Sequence, residues 1–144
     1  FGSCWGDAIT WENNTFENNC TVGGGNAFVM GAPGSLGIGD GWIIRGNTFN
    51  EPTCGNLVYV SIRNNILFEN NTFTGGTGNG MYITDASNVT VRNSPFKLNN
   101  ARTGFFLYQK VNGLTIEPSV TLSGATTPVA RIFLDTITNV THPF

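Results

Sequence analysis

The octapeptide Ile66-Leu67-Phe68-Glu69-Asn70-Asn71-Thr72-Phe73 recurs along this chain with its chemistry intact. It returns as Ile9-Thr10-Trp11-Glu12-Asn13-Asn14-Thr15-Phe16, as Trp42-Ile43-Ile44-Arg45-Gly46-Asn47-Thr48-Phe49 and as Val89-Thr90-Val91-Arg92-Asn93-Ser94-Pro95-Phe96. Shorter versions stand at Leu114-Thr115-Ile116-Glu117 and Val140-Thr141-His142. The starts at 9, 42, 66, 89, 114 and 140 lie 33, 24, 23, 25 and 26 residues apart. A period of that length marks a solenoid, in which each repeat is one rung that buries its apolar face only against its neighbours.

Within a rung, the first and third residues are Ile9/Trp11, Trp42/Ile44, Ile66/Phe68, Val89/Val91, Leu114/Ile116 and Val140/His142. Alternation with period two describes a half-buried strand with these residues inward. Equivalent residues of stacked rungs sit about 4.8 Å apart, so each position becomes a ladder of like side chains. The fourth position tests the register independently. It reads Glu12, Arg45, Glu69, Arg92, Glu117, an alternation of sign that sets each acid beside a base on the next strand.

The chain then turns at Asn13-Asn14, Gly46-Asn47, Asn70-Asn71, Asn93-Ser94 and Pro118-Ser119. Asn and Gly accept the left-handed backbone of a tight corner, and stacked Asn amides can bond from rung to rung. An apolar group follows in Phe16, Phe49, Phe73 and Phe96, with Val120 expected to serve in the fifth rung. Each rung has a second strand: Ala27–Met30, Leu57–Ile62, Met81–Thr84, Phe105–Tyr108 and Ala130–Leu134. The first rung's extra length falls in the Gly-rich stretch 31–39. Helical periodicity is absent, and the expected fold is an all-β, single-stranded parallel β-helix of about six rungs occupying residues 1–144.

Composition agrees with that fold. Charged residues are 11% of the chain, against 19 Asn, 18 Thr and 19 Gly, so the polar surface is mostly uncharged. Eleven Phe and 40% hydrophobic content argue against disorder. A net charge of −2 with no basic cluster offers nothing to nucleic acid or to an anionic membrane, and no apolar run reaches a membrane span.

With these ladders and Asn corners the chain resembles the right-handed parallel β-helix family, the pectin-lyase-like solenoids, over about residues 7–144. The resemblance speaks to fold more than to function, because the family spans polysaccharide lyases, glycoside hydrolases, tailspikes, adhesins and surface proteins. Its lyases use clustered Asp with a basic group, and its hydrolases use paired Asp near a Gly-His-Gly. Neither pattern stands here, and the single His142 lies in the last rung. No catalytic residue, metal ligand or cofactor motif is therefore assigned. Asp7 and Asp40 are the best carboxylate pair, yet their column continues as Asn64, Ser87, Asn112 and Thr138, the pattern of corner capping. Gly23-Gly24-Gly25 lacks the following helix of a phosphate loop. Tyr59, Tyr82 and Tyr108 could offer rings to a sugar.

Five N-x-T triplets begin at Asn13, Asn19, Asn70, Asn88 and Asn139. Asn13 and Asn70 share one corner column with Gly46 between them; Asn88 and Asn139 share another around Gly113. Roughly 9–10 Å between such sites leaves room for glycans. Cys20 and Cys54 fall at matching corners of adjacent rungs, within reach of a disulfide, while Cys4 is left over. Sequons and disulfide together predict an extracellular, secreted or cell-surface structural protein such as a fibre, cell-wall or appendage subunit. Its ends resemble cut rungs and predict end-to-end self-association or adjoining protein segments. A carbohydrate-binding or carbohydrate-active β-helix is the rival.

Overall fold

The structure is a computed structural model that describes residues 7–20, 25–31, 39–132 and 136–144. The strands in chain order are β1 (Thr10–Glu12), β2 (Thr15–Glu17), β3 (Asn26–Met30), β4 (Gly39–Asp40), β5 (Ile43–Arg45), β6 (Thr48–Glu51), β7 (Asn56–Glu69), β8 (Thr72–Gly75), β9 (Asn79–Arg92), β10 (Phe96–Leu107), β11 (Val111–Ile116), β12 (Leu122–Arg131) and β13 (Ile137–Thr141). All of the pairings among them are parallel. A strand whose parallel neighbour comes one repeat later in the chain can be reached only by coiling, and the result is a β-solenoid with three faces.

The first face holds the repeating strand in the register the sequence implies, Thr10↔Ile43↔Leu67↔Thr90↔Thr115↔Thr141. The second aligns Phe16↔Phe49↔Phe73↔Phe96. The third aligns Phe28↔Val58↔Met81↔Phe105↔Val129. Turns with all three faces fully stranded number about four rather than six, because the fifth turn keeps only a short second face and β13 merely begins another. The same short face corrects the expectation for Val120. Leu122, not Val120, pairs with Phe96, since the turn at 118–119 carries the chain farther before it rejoins the sheet, although Val120 is still buried. Residues 32–38 of the Gly-rich stretch, and Phe133 and Leu134 of the last second strand, lie outside the described residues.

Left-handed backbone defines the corners. Ala8, Gly41, Asn65, Asn88, Gly113 and Asn139, each one residue before the first face, all have φ between 53° and 79°. At the next corner Asn13, Gly46, Asn70 and Asn93 have φ between 47° and 63°. Gly46 also meets a packing limit there, since a Cβ would stand 2.6 Å from Asn13 Oδ1. The third corner stacks Ile62, Asp85 and Lys110, with φ of 54°, 48° and 48°. Of these Ile62 is the misfit, because a β-branched side chain crowds the following carbonyl in this region.

Inside the coil the Phe rings of the second face stack at centroid separations of 4.7, 4.8 and 4.3 Å. Phe28 and Phe105 of the third face meet that stack edge-on at Phe49 and Phe96. Beside it, half-buried Asn14 and buried Asn47, Asn71 and Ser94 form a polar ladder. Asn47 Oδ1 accepts from the Asn14 amide at 2.9 Å, Asn71 Oδ1 from the Asn47 amide at 3.0 Å, and Ser94 Oγ from the Asn71 amide at 3.2 Å. Asn71 Nδ2 in turn donates to the Ile44 carbonyl at 2.8 Å. The ladder satisfies the corner amides that no strand partner reaches. On the outer surface the charge alternation resolves into two ion pairs, Arg45–Glu12 at 2.6 Å and Arg92–Glu69 at 2.7 Å.

Two stability changes of opposite sign follow. Asn71→Ala strands the Asn47 amide inside the coil, removes a second donor from the Ile44 carbonyl and should cost about 2 kcal/mol. Ile62→Asn relieves the left-handed strain and should add about 1 kcal/mol, visible as a rise of about 2–4 °C in Tm. Thermal unfolding followed by circular dichroism reads both, and an Ile62→Asn protein that melts earlier than the parent would refute the strain.

Candidate functional site

Chemistry-bearing side chains meet where the second face turns into the third. The alternation of β6 points Phe49 inward, and with the same period it points Glu51 inward as well, where its exposure is 0%. Glu51 Oε2 accepts the Asn19 amide at 2.7 Å, and Oε1 accepts Asn19 Nδ2. Cys20 and Cys54, at 8% and 0% exposure, are joined as a disulfide with Cα atoms 5.1 Å apart. Cys54 Sγ lies 3.6 Å from Glu51 Oε2; a disulfide sulfur carries no proton, so this is a packing contact. A Cβ on Gly75, the residue paired with Glu51, would stand 2.4 Å from the Glu51 carbonyl oxygen, so the neighbouring rung closes directly over this corner. The two sulfurs and a carboxylate oxygen lie within 4.8 Å of one another. Cys4, expected to be the odd thiol, lies outside the described residues.

A buried cation occupies the corner between the third face and the first. Arg63, 2% exposed, lies in register with Gly39 and Ala86, and its guanidinium carbon sits 5.1 Å from the centroid of the Trp42 ring. Nη1 donates to the Ile62 carbonyl at 2.9 Å. Desolvation lowers the pKa of Arg63, and the nearby charge of Asp7 acts in the opposite sense. The wall of the third face carries an outward aromatic column: Tyr59 stacks on Tyr82 at 5.1 Å, and Tyr82 meets Phe106 at 5.0 Å and Tyr108 at 6.0 Å. The Tyr59 and Tyr82 rings turn their faces toward one another, whereas a sugar ring stacks on an open face. Burial raises the pKa of Tyr82, with Tyr59, Tyr108 and Asp85 adding to the rise.

The remaining candidates act as corner residues. Asp7 Oδ1 accepts the Asp40 amide at 3.1 Å, and the same column continues as a Ser87–Asn64 hydrogen bond and a Thr138–Asn112 bond of 3.0 Å. Four sequon asparagines, Asn13, Asn70, Asn88 and Asn139, occupy left-handed positions. In Asn88-Val89-Thr90 the triplet is the rung itself: a corner Asn, an inward residue and a β-branched strand residue. Nδ2 of Asn88 donates to Asn65 at 2.9 Å, Nδ2 of Asn139 to Asn112 at 2.8 Å, and that of Asn19 to Glu51. His142 is in the inward column of the last strand region, its Nδ1 buried. Of the Gly23-Gly24-Gly25 stretch only Gly25 lies among the described residues.

Three features escaped the sequence reading. Glu51 was signalled by its place two residues after Phe49, on the same side of the strand. Arg63 lay one residue beyond the second strand as read from sequence, where no alternation marked it as inward. A further ladder, Asn26–Asn56–Asn79, with Nδ2-to-Oδ1 bonds of 2.7 Å at both steps, immediately precedes that strand.

Parallel coiling, stacked Asn corners and a closed aromatic interior define a β-solenoid of the parallel β-helix class. Within that class the chain belongs to the NosD family, described as periplasmic copper-binding protein, whose model matches residues 5–125. No curated protein and no solved structure matches this chain. The earlier likeness to pectin-lyase-like solenoids thus holds at the level of the parallel β-helix, and the family's compartment lies outside the cytoplasm.

Two measurements check the site's energetics. Closing a loop of sequence separation 34 restricts the unfolded chain, so Cys20→Ala/Cys54→Ala should lose about 3–4 kcal/mol in denaturant unfolding. The phenol of Tyr82 ionises above the ordinary value of 10.0 in the folded state. Its stabilising contribution is therefore complete below pH 10 and is lost as pH rises through the higher folded pKa. Ultraviolet titration should lose a component ionising above the ordinary tyrosine value in Tyr82→Phe; an unchanged curve would remove the effect.

Proposed function

We propose that this chain is a structural β-solenoid element of the cell exterior, a fibre, cell-wall or appendage subunit that stacks end to end. One observation carries the reading: at the corners and along the first face, polar side chains are committed to the rung above or below. The Asn14–Ser94 ladder, the Asn26–Asn79 ladder, the Asn65–Asn88 and Asn112–Asn139 pairs and the two Glu–Arg pairs all run along the solenoid axis. Chemistry spent on axial cohesion suits a stiff rod. The outward Tyr59–Tyr82 stack supports the same reading, since its ring faces are occupied by one another.

Among the described residues, β12 and β13 pair on one side only, as do β1, β2 and β3 at the opposite end. Such parallel edges are templates for a further rung, from adjoining protein or from a second copy, and head-to-tail contacts between copies that do not close build filaments. The family description places copper in its name. In the oxidised chain the Cys20 and Cys54 sulfurs are bonded to each other and are not thiolates, so the corner they share with Glu51 does not fit copper, and no role for copper enters this function. Glycans, in a host that modifies sequons, belong on Asn13 and Asn70, which are exposed at an outer corner.

Electron microscopy of native material tests the stacking. Filaments or end-to-end oligomers are expected; discrete monomers with both sheet edges open to solvent would sink the proposal. Glycopeptide mapping of the same material should find sugar at Asn70 first, and bare triplets throughout would strip the glycan from the account.

A further inference from the structure

The pairing of a disulfide with a fully buried carboxylate is hard to explain as stabilisation. A buried carboxylate is costly unless charge or hydrogen bonds compensate it, and Asn19 alone supplies the side-chain and backbone donors that reach Glu51 among the described residues. A Gln at this position would fill the same volume but would turn an NH2 donor toward one of the two Asn19 donors. What Glu51 adds is a carboxyl oxygen beside two sulfurs, with one ligand atom from each of the three residues inside 4.8 Å.

We propose that this corner is a reduction-gated zinc site, dormant as a disulfide and assembled from the Cys20 and Cys54 thiolates with the Glu51 carboxylate when the bond is opened. The gating step balances as a two-electron exchange: an external dithiol loses two electrons and two protons to become a disulfide, and the Cys20–Cys54 bond gains them to become two thiols. Zinc binding then releases both thiol protons. Cysteines with Cα atoms 5.1 Å apart can share one ion, because Zn–S bonds of about 2.3 Å at a tetrahedral angle separate the sulfurs by roughly 3.8 Å. The third position falls to the carboxylate and the fourth to water, an S2O donor set that suits borderline Zn2+ better than a purely soft ion. The ion would supply the positive charge that Glu51 lacks in the oxidised chain.

The test uses the full chain carrying Cys4→Ser, reduced with a dithiol and desalted under nitrogen. Equilibrium dialysis against Zn2+ should find one ion per reduced chain and none per oxidised chain. Co2+ in place of Zn2+ should give thiolate-to-metal charge-transfer absorption in the reduced protein alone. Adding Glu51→Gln should weaken Zn2+ at least tenfold while leaving the circular dichroism of the oxidised chain unchanged. Equal Zn2+ affinity with and without Glu51→Gln would overturn the proposal. So would a reduced chain that binds no Zn2+, or one that loses its β spectrum and does not regain it on adding Zn2+.

Discussion

The left-handed corner is the constraint on which the rest of this molecule depends. A parallel coil with rungs of about two dozen residues must reverse direction several times per turn, and most of the described reversals use a residue with positive φ, the turns at 52–55 and 118–119 being exceptions. Asn and Gly accept that conformation at low cost, and Asn brings an amide that can bond to the next rung. Once Asn holds a corner, its neighbours are placed in turn. The residue after Asn88 points inward at 0% exposure and the next returns to the surface, so corner identity fixes which side chains become core.

Register and core packing are therefore one property rather than two. Slipping a strand by one residue would turn the Phe16–Phe49–Phe73–Phe96 stack out to solvent and the Thr column in. It would also break the Asn47–Asn71 amide bonds, whose donors have no water to replace them. Against this uniform background, two charges are anomalous. Arg63 over Trp42 and Glu51 beside the disulfide are both buried where an apolar residue would pack at lower cost. Sites that oppose the local rules of a fold are where chemistry beyond stability is to be sought.

The first face and the Phe column were legible because their signal repeats: Ile66, Trp42 and Val89 occupy one place in successive copies, and Glu69 beside Arg92 checks the alignment. Val120 was misplaced because the Pro118-Ser119 turn has its own length, and no periodicity reports a local insertion. The turn count was overestimated because a short match such as Val140-Thr141-His142 marks a strand, not a complete rung. Glu51 and Arg63 were illegible for a different reason. Charge is read as surface by default, and only alternation carried past Phe49 reveals that Glu51 faces in. The sequons coincide with corners because the corner geometry itself favours Asn, an inward residue, then Thr, so the triplet alone does not separate a modification signal from a structural one.

Cross-linking across the first face tests the register most directly. In a Cys4→Ser chain, Thr90→Cys with Thr115→Cys places two new thiols at paired positions on adjacent rungs, while Thr90→Cys with Glu117→Cys offsets them by two residues. Mild oxidation followed by peptide mapping without reduction should recover the 90–115 link in high yield and little of the 90–117 link. Equal yields, or a preference for 90–117, would contradict the register and with it the corner-determined coil.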